Sequence, residues 1–171
     1  MISESDLNVL AKAEWTASAE APKPDVSFVP PMERRRLTLL EKAALSVAWK
    51  VYPHREKIPV VFASRWGEID TTVKLMRQLH DEGEMSPAGF SNSVHNAAPG
   101  HFSLLTKNTA PYTAIAAGPD SYGMGLLEAS TYSGKVLFVY AEEETPEFYR
   151  PHFKDVQGAH AVALLIDNTK P

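Results

Sequence analysis

The sequence predicts an α/β domain with a mostly parallel sheet and helices on both faces. Four apolar runs of strand length, residues 58–64, 112–117, 136–141 and 159–166, are separated by helical patterns or loops. At 171 residues, with 44% hydrophobic and 22% charged side chains, the chain can build a core of its own. Alternation of strands with helices favours parallel pairing, because each crossover helix returns the chain to the same end of the sheet.

The N-terminal part is predicted to be an arm, with the domain itself covering residues 31–171. Residues 1–30 are rich in Ala and Glu around Trp15, which favours a helix, and Pro22 and Pro24 interrupt the link that follows. We expect this arm to contribute little to the chemistry of the protein.

The strongest helical pattern follows Pro31 and stops at Pro53. Its apolar stripe has three- and four-residue spacing and consists of Leu37, Leu40, Ala44, Val47 and Val51. Residues 34–36 are all Arg and are predicted to head this helix, where the helix dipole disfavours cations. The cluster therefore either serves a purpose beyond helix stability or is an ordinary solvated turn.

A second amphipathic helix is predicted over residues 68–81. One face carries Ile69, Val73, Met76 and His80, and Gly83 ends the helix. Ser86 and Pro87 then have the residue types of a helix cap and a first helical position.

An elbow between a strand and a helix is predicted at Gly118. The strand of residues 112–117 stops there, and Pro119, Asp120 and Ser121 are the residue types expected at a helix start. The following helix, residues 120–132, has no clear polar face. Small side chains occupy several of its sides, so we expect it to lie between two layers.

Composition argues against several classes of function. The chain has no Cys, which excludes disulfides, thiolate metal sites and a Cys nucleophile, and its net charge of −4 argues against nucleic acid binding. Its apolar runs are shorter than a membrane span, and acidic residues stand where a secretory signal would carry positive charge, so we expect a cytoplasmic protein. No metal or cofactor motif is present, and residues 142–144, all Glu, are interpreted as a solvated acidic edge.

Two motifs resemble the β-ketoacyl synthases of the thiolase superfamily, in their N-terminal half. In the first, Asn96 is followed by small residues and then by Gly100 and His101; the second is the strand that ends at Gly118 before a small-sided helix. The resemblance extends over about residues 31–166. More narrowly, the Arg cluster, residues 64–68 and residues 91–96 are similar to short synthase-like proteins called ketosynthase chain length factors, found in pathways such as aryl polyene formation.

This resemblance implies a thiolase-like half-fold without the family's catalytic centre. Gly118 occupies the position of the family's Cys nucleophile and has no side chain to acylate. The family's catalytic His and Lys residues belong to a C-terminal half that we expect this chain to lack, and the six His residues present are expected to pack or to form local hydrogen bonds. The resemblance also implies a first strand ahead of the Arg cluster.

The resemblance further implies a heterodimer with a Cys-bearing ketosynthase and transient contact with an acyl carrier protein. Carried over by position, the residues at the partner interface are Asn92, Val94, His95, Asn96, His101, Tyr112, Ala114 and Ala116. Those at the end of the partner's acyl tunnel are Thr72, Met76, Ala88, Gly89 and Phe90. Several of these tunnel side chains are small, which predicts a long or bulky product.

Other functions remain open at this stage. A decarboxylase or priming subunit that acts on a malonyl carrier with residues of its partner is the main alternative. An α/β-hydrolase with Ser121 as nucleophile would need Gly where Pro119 stands. A phosphate loop over residues 118–125 lacks the Lys and Ser or Thr that end such loops.

Overall fold

The structure is a computed structural model that describes residues 2–152 and 158–169. Five strands form one sheet in the order β1-β5-β4-β2-β3. Their bounds are β1 Val9–Thr16, β2 Val60–Ala63, β3 Tyr112–Ile115, β4 Lys135–Glu142 and β5 His160–Asp167. The α-helices are α1 Pro31–Arg34, α2 Leu39–Val51, α3 Ile69–Glu82, α4 Pro87–Asn92, α5 Ala97–Thr106 and α6 Ser121–Thr131.

The sheet is mixed rather than mostly parallel. β2 pairs in parallel with both β3 and β4, as predicted, but β5 runs antiparallel to both β4 and β1. The last two pairings arise because the described part of the connection between β4 and β5 contains no crossover α-helix, and because β1 adds to the far side of β5. The α/β class is confirmed.

Residues 9–16 form a strand, so the helix predicted in the N-terminal arm is wrong. Ala11, Ala13 and Trp15 face the core, while the residues between them are exposed. This two-residue alternation is that of a strand, and β1 pairs with β5 from Val9 to Thr16. The strand thus belongs to the same sheet as the later strands; the proposed domain boundary near residue 30 stays a prediction.

The main helix begins later than the Arg cluster. Thr38 caps α2, since its hydroxyl accepts a hydrogen bond from Glu41 N while the Glu41 carboxylate accepts one from Thr38 N. Arg34 lies in the separate short helix α1 and donates hydrogen bonds to Val29 O and Ser27 O. The Arg cluster therefore does not head the main helix, and Arg34 has a local structural role.

Two hydrophobic clusters lie on opposite faces of the sheet, as predicted. On one face α2 and α5 cover β2 and β4, and the whole stripe predicted for α2 is buried there. On the other face α6 packs over Val61, Ala63 and Phe138. Every residue of β2 is buried, in agreement with the continuous apolar run of its sequence.

Gly125 allows α6 to approach the sheet closely. A Cβ atom at this position would lie 2.5 Å from Phe138 Cε2 and 2.8 Å from Ala63 Cβ. These distances are shorter than any normal contact, so a side chain at this position would push the helix away from the sheet. This is the physical reason for the small-sided helix seen in the sequence.

We expect Gly125→Ala to lower the free energy of unfolding by about 1–3 kcal/mol, because overpacking displaces α6 from β2 and β4. Chemical denaturation would measure the effect. Gly100→Ala is the matched control, since a Cβ atom there would meet only Tyr112 Oη at 3.6 Å. Ala favours a helix over Gly, so the control should be neutral or slightly stabilising. Equal losses for the two variants would contradict the packing account.

Candidate functional site

The predicted elbow is present at Gly118. β3 ends at Ile115, and Gly118 has a positive φ of 58° as the chain turns through Gly118–Asp120 into α6. The Ser121 hydroxyl accepts a hydrogen bond from Ala117 N (2.9 Å) and donates one to Gly118 O (2.8 Å). Ser121 is fully buried in this role, which makes it a structural brace rather than an exposed nucleophile.

The space beside Gly118 is open. A Cβ atom built on Gly118 would have no other heavy atom within 4 Å. A side chain at this position would therefore reach free space at the head of α6, which is the placement that a nucleophile on an elbow requires. The elbow thus has room for a side chain, and Gly118 supplies none.

The outer side of α6 is apolar and exposed. Met124 and Leu127 are 42% and 46% exposed, although the opposite side of the same helix is fully buried on the sheet. This agrees with the prediction of a helix without a polar face.

β3 is an edge strand with free main-chain groups. Its only partner in the described sheet is β2. On the side of β2, Val60 N donates to Pro111 O (3.0 Å) and Ser64 N donates to Ile115 O (3.1 Å). Alternate residues of a parallel strand bond to one neighbour. The main-chain groups of Tyr112, Ala114 and Ala116 therefore point away from β2, toward the open edge.

The predicted interface residues lie on three neighbouring elements. Tyr112 and Ala114 are on β3 and Ala116 follows it, His101 is on α5, and the remaining four occupy the end of α4 and the turn before α5: Asn92, Val94, His95 and Asn96. α5 is in contact with β3, where Tyr112 Oη approaches Gly100. The structure thus gathers these residues on one side of the molecule, and their role in an interface stays a prediction.

Asn92 and His95, on the α4 side of this group, also make internal contacts. Asn92 donates to Arg36 O at 3.0 Å. The His95 Nε2 atom lies 2.9 Å from Ser64 O, and the His95 ring packs so closely on Gly67 that a Cβ atom there would be 2.8 Å from it. His95 therefore fixes the turn after β2, as expected for a packing His.

The predicted tunnel residues occupy two adjacent helices. Thr72 and Met76 are on α3, which ends at Gly83 as predicted, while Ala88, Gly89 and Phe90 are on α4, capped by Ser86. The helices meet where Leu75 Cδ2 would lie 3.0 Å from a Cβ atom on Gly89. Met76 and Phe90 are 60% and 58% exposed, so these apolar side chains face outward.

A junction of buried carboxylates was missed by the sequence reasoning. We use "acid junction" for Glu41, Glu68, Glu142 and Glu143, each at most 7% exposed. The predicted solvated edge is thus wrong for Glu142 and Glu143. Three of the four follow the carboxyl ends of β2 and β4, where main-chain N–H groups at helix starts and turns need acceptors.

Each carboxylate of the acid junction has a specific partner. Glu142 accepts from Arg65 N and from the Ser64 hydroxyl (3.3 Å). Glu143 accepts from Leu40 N and Asp70 N, both at 3.3 Å, and so joins the N-terminal ends of α2 and α3. Glu68 accepts from the hydroxyls of Thr38 (2.9 Å) and Thr71 (3.3 Å). Such partners are what makes carboxylate burial tolerable.

Burial changes the protonation of this junction. Burial, reinforced by the nearby charges of Glu143 and Glu41, raises the pKa of Glu68 to about 9. Burial likewise raises the pKa of Glu143 to about 7 and raises that of Glu142. Glu68 is therefore protonated at neutral pH.

The five-stranded sheet, its helices and the elbow at Gly118 together define a thiolase-like α/β fold. The chain belongs to the β-ketoacyl synthase family, since the profile of the β-ketoacyl synthase N-terminal domain matches residues 9–171. No curated protein sequence matches the chain. The described helices include none that is long and apolar enough to cross a membrane.

Solved structures agree with the family assignment. The chain is 27% identical, with a TM-score of 0.81, to a chain in the complex of the ketosynthase ApeO with its chain length factor ApeC from Xenorhabdus doucetiae; the match covers 94% of this chain and 78% of that one. The resemblance to ketosynthase and chain length factor systems is thereby confirmed.

Two more distant structures share the fold. The ishigamide ketosynthase/chain length factor is 17% identical, with a TM-score of 0.64 over 90% of this chain and 53% of that chain. A chain of the AntDE:AntF complex, in which a type II polyketide acyl carrier protein is in complex with its ketosynthase, is 14% identical, with a TM-score of 0.65. That match covers 83% of this chain and 50% of that chain. The present chain thus spans about half of each of these two proteins.

The raised pKa of Glu68 predicts a stability that falls as pH rises. Above about pH 4.5 the unfolded chain releases this proton while the native protein keeps it up to about pH 9, so alkaline conditions favour unfolding. Glu68→Gln carries no charge at any pH. Its free energy of unfolding should match the wild type near pH 5 and exceed it by about 2 kcal/mol or more at pH 8.5.

Urea denaturation at both pH values would test this prediction. Glu84→Gln is the control, because Glu84 is exposed and should leave the pH dependence of stability unchanged. A Glu68→Gln protein with the same pH dependence as the wild type would contradict the assigned protonation.

Proposed function

We propose that the chain is a non-catalytic chain length factor subunit that pairs with a Cys-bearing β-ketoacyl synthase and shapes its acyl tunnel, in biosynthesis of the polyketide or fatty-acid type. The observation that carries the proposal is the elbow at Gly118, which keeps the backbone of a nucleophile site without a nucleophile. A ketosynthase forms a thioester on its Cys, and this chain has no Cys. Its contribution to condensation is therefore one of shape.

The open edge of β3 supports pairing with a partner. Main-chain N–H and C=O groups at a sheet edge form a ready template for another strand, and their hydrogen bonds supply affinity. The exposed side chains nearby add apolar area, with Val94 and Tyr112 being 43% and 39% exposed. A chain in the ApeO–ApeC complex has a similar fold, and that complex joins a ketosynthase to its chain length factor.

The exposed tunnel residues support the second part of the proposal. Thr72, Ala88 and Gly89 carry little side-chain bulk, and they lie beside the exposed Met76 and Phe90 on two helices in contact. If this surface closes the partner's tunnel, the free length of the tunnel depends on their volume. A few added methylene groups cost about 1–3 kcal/mol in a packed cavity, which is enough to stop elongation.

Assembly is tested with Ala114→Pro. The Ala114 N–H points to the open edge, so Pro at this position should leave the pairing with β2 intact. It would remove one hydrogen-bond donor that β3 offers to the partner strand. Co-expression with the ketosynthases of the source organism, followed by size-exclusion chromatography, should give a heterodimer with the wild type and a loss of at least about tenfold in affinity with the variant.

Glu14→Pro is the matched control for assembly. Glu14 lies on the other edge strand, β1, and opposes Val162 at a position where its N–H points away from β5. This variant should still form the heterodimer. A wild-type chain that stays monomeric with every candidate ketosynthase, or an Ala114→Pro protein that assembles normally, would count against the proposal.

Product length is tested with Ala88→Trp in the reconstituted heterodimer. Ala88 is exposed, whereas a side chain on Gly89 would first meet Leu75 of the same chain, so Ala88 gives the cleaner test. The variant should shift the product distribution toward shorter chains at an unchanged heterodimer affinity. Ala19→Trp, at an exposed position of the N-terminal segment, is the control. Unchanged product length would refute the tunnel assignment.

A further inference from the structure

One ion pair of the acid junction reaches the predicted partner surface. His101 of α5 is 33% exposed in its side chain, and its Nδ1 atom lies 2.8 Å from Oε1 of Glu41, which is fully buried in α2. Neither atom has a hydrogen-bond partner elsewhere among the described residues. Around this pair, α2 and α5 pack through apolar side chains that belong to one hydrophobic cluster.

A chain of polar contacts continues from this pair into the protein. Glu41 Oε2 accepts from Thr38 N at 2.7 Å, and the Thr38 hydroxyl donates to Glu68 at 2.9 Å. Glu68 in turn accepts from Thr71 of α3. Among the titratable members of this chain, Glu41 and Glu68 are buried whereas the His101 side chain is 33% exposed, so His101 is the point at which external pH acts on the network.

The charges around His101 favour its protonated form. Its hydrogen bond to Glu41 raises the pKa of His101 above the usual 6.5, against the opposing effect of burial, and Glu33 of α1 adds attraction. On the strands next to α5, β2 has no titratable side chain, and β3 has only Tyr112. On α2, the carboxyl that faces the His101 ring is that of Glu41, with 2.8 Å between Nδ1 and Oε1.

We propose that the pair of His101 and Glu41 is a pH-dependent latch that holds α5, and the edge strand β3 beside it, in the conformation that the partner ketosynthase binds. This inference rests on the proposed function, because the partner is the one assigned there. A protonated His101 closes the latch. Loss of the proton removes the positive charge of the imidazolium that faces the buried Glu41 carboxyl, which loosens α5 from α2.

The sign of the pH effect follows from the raised pKa of His101. A base that binds its proton more tightly in the native state stabilises that state below the pKa of the unfolded chain, near 6.5, and this stabilisation disappears as pH rises through the higher native value. Affinity for the ketosynthase should therefore be highest at mildly acidic pH and decline toward alkaline pH.

The test measures the dissociation constant of the heterodimer between pH 6 and pH 9 for the wild type, His101→Gln and Glu41→Gln. At pH 6 both variants should bind about three- to tenfold more weakly than the wild type, and their affinity should change less with pH. Gln at position 41 keeps the capping contacts of α2, so this variant tests the charge alone. His54→Gln, an exposed His at the far end of α2, is the control and should keep the wild-type profile.

Two further measurements use the chain without a partner. NMR titration of the His101 ring should give a pKa above that of a free His. Amide hydrogen exchange in α5 should accelerate as the ring loses its proton, by more than the intrinsic increase of exchange with pH; His54→Gln is the control and should show the same acceleration as the wild type. A wild-type chain that binds no ketosynthase at any pH would refute the proposed function. A heterodimer whose pH profile is the same in His101→Gln, or exchange in α5 that is independent of His101, would overturn the latch.

Discussion

The close contact between α6 and the sheet at Gly125 is the constraint on which the rest of the structure depends. It fixes the axis of the helix against Phe138 and Ala63, and so fixes where the elbow at Gly118 emerges from β3. The elbow in turn leaves β3 as the last strand of the sheet, with its free edge facing outward. The packing of α6 on the sheet thus sets the position of the elbow, independently of the side chain at position 118.

The acid junction holds the same end of the sheet together by other means. Helix starts and turns gather at the carboxyl ends of β2 and β4, and their N–H groups are satisfied by carboxylates instead of water. Burial of several carboxyl groups is eased because Glu68 is neutral at physiological pH and because the Glu41 carboxyl lies 2.8 Å from His101. The stability of the protein is consequently linked to pH through this network.

Sequence reasoning was most successful where one local pattern decided the structure. The buried run of β2, the stripe of α2, the end of α3 at Gly83 and the elbow at Gly118 each follow from spacing or from a single residue type. The strand β1 was misread because its Ala and Glu residues favour a helix, whereas pairing with β5 decides the outcome. Burial of Glu142 and Glu143 depends on helix ends distant in sequence, which no local pattern reveals.

The central claim is that this nucleophile-free scaffold assembles with a ketosynthase through the open edge of β3. Amide hydrogen exchange at Ala114 and Ala116, measured with and without the partner ketosynthase, tests it most directly. The account predicts exposed, rapidly exchanging amides in the isolated chain and strong protection in the complex, because a partner strand would accept their hydrogen bonds. Unchanged exchange at these two amides in a complex that has clearly formed would contradict it.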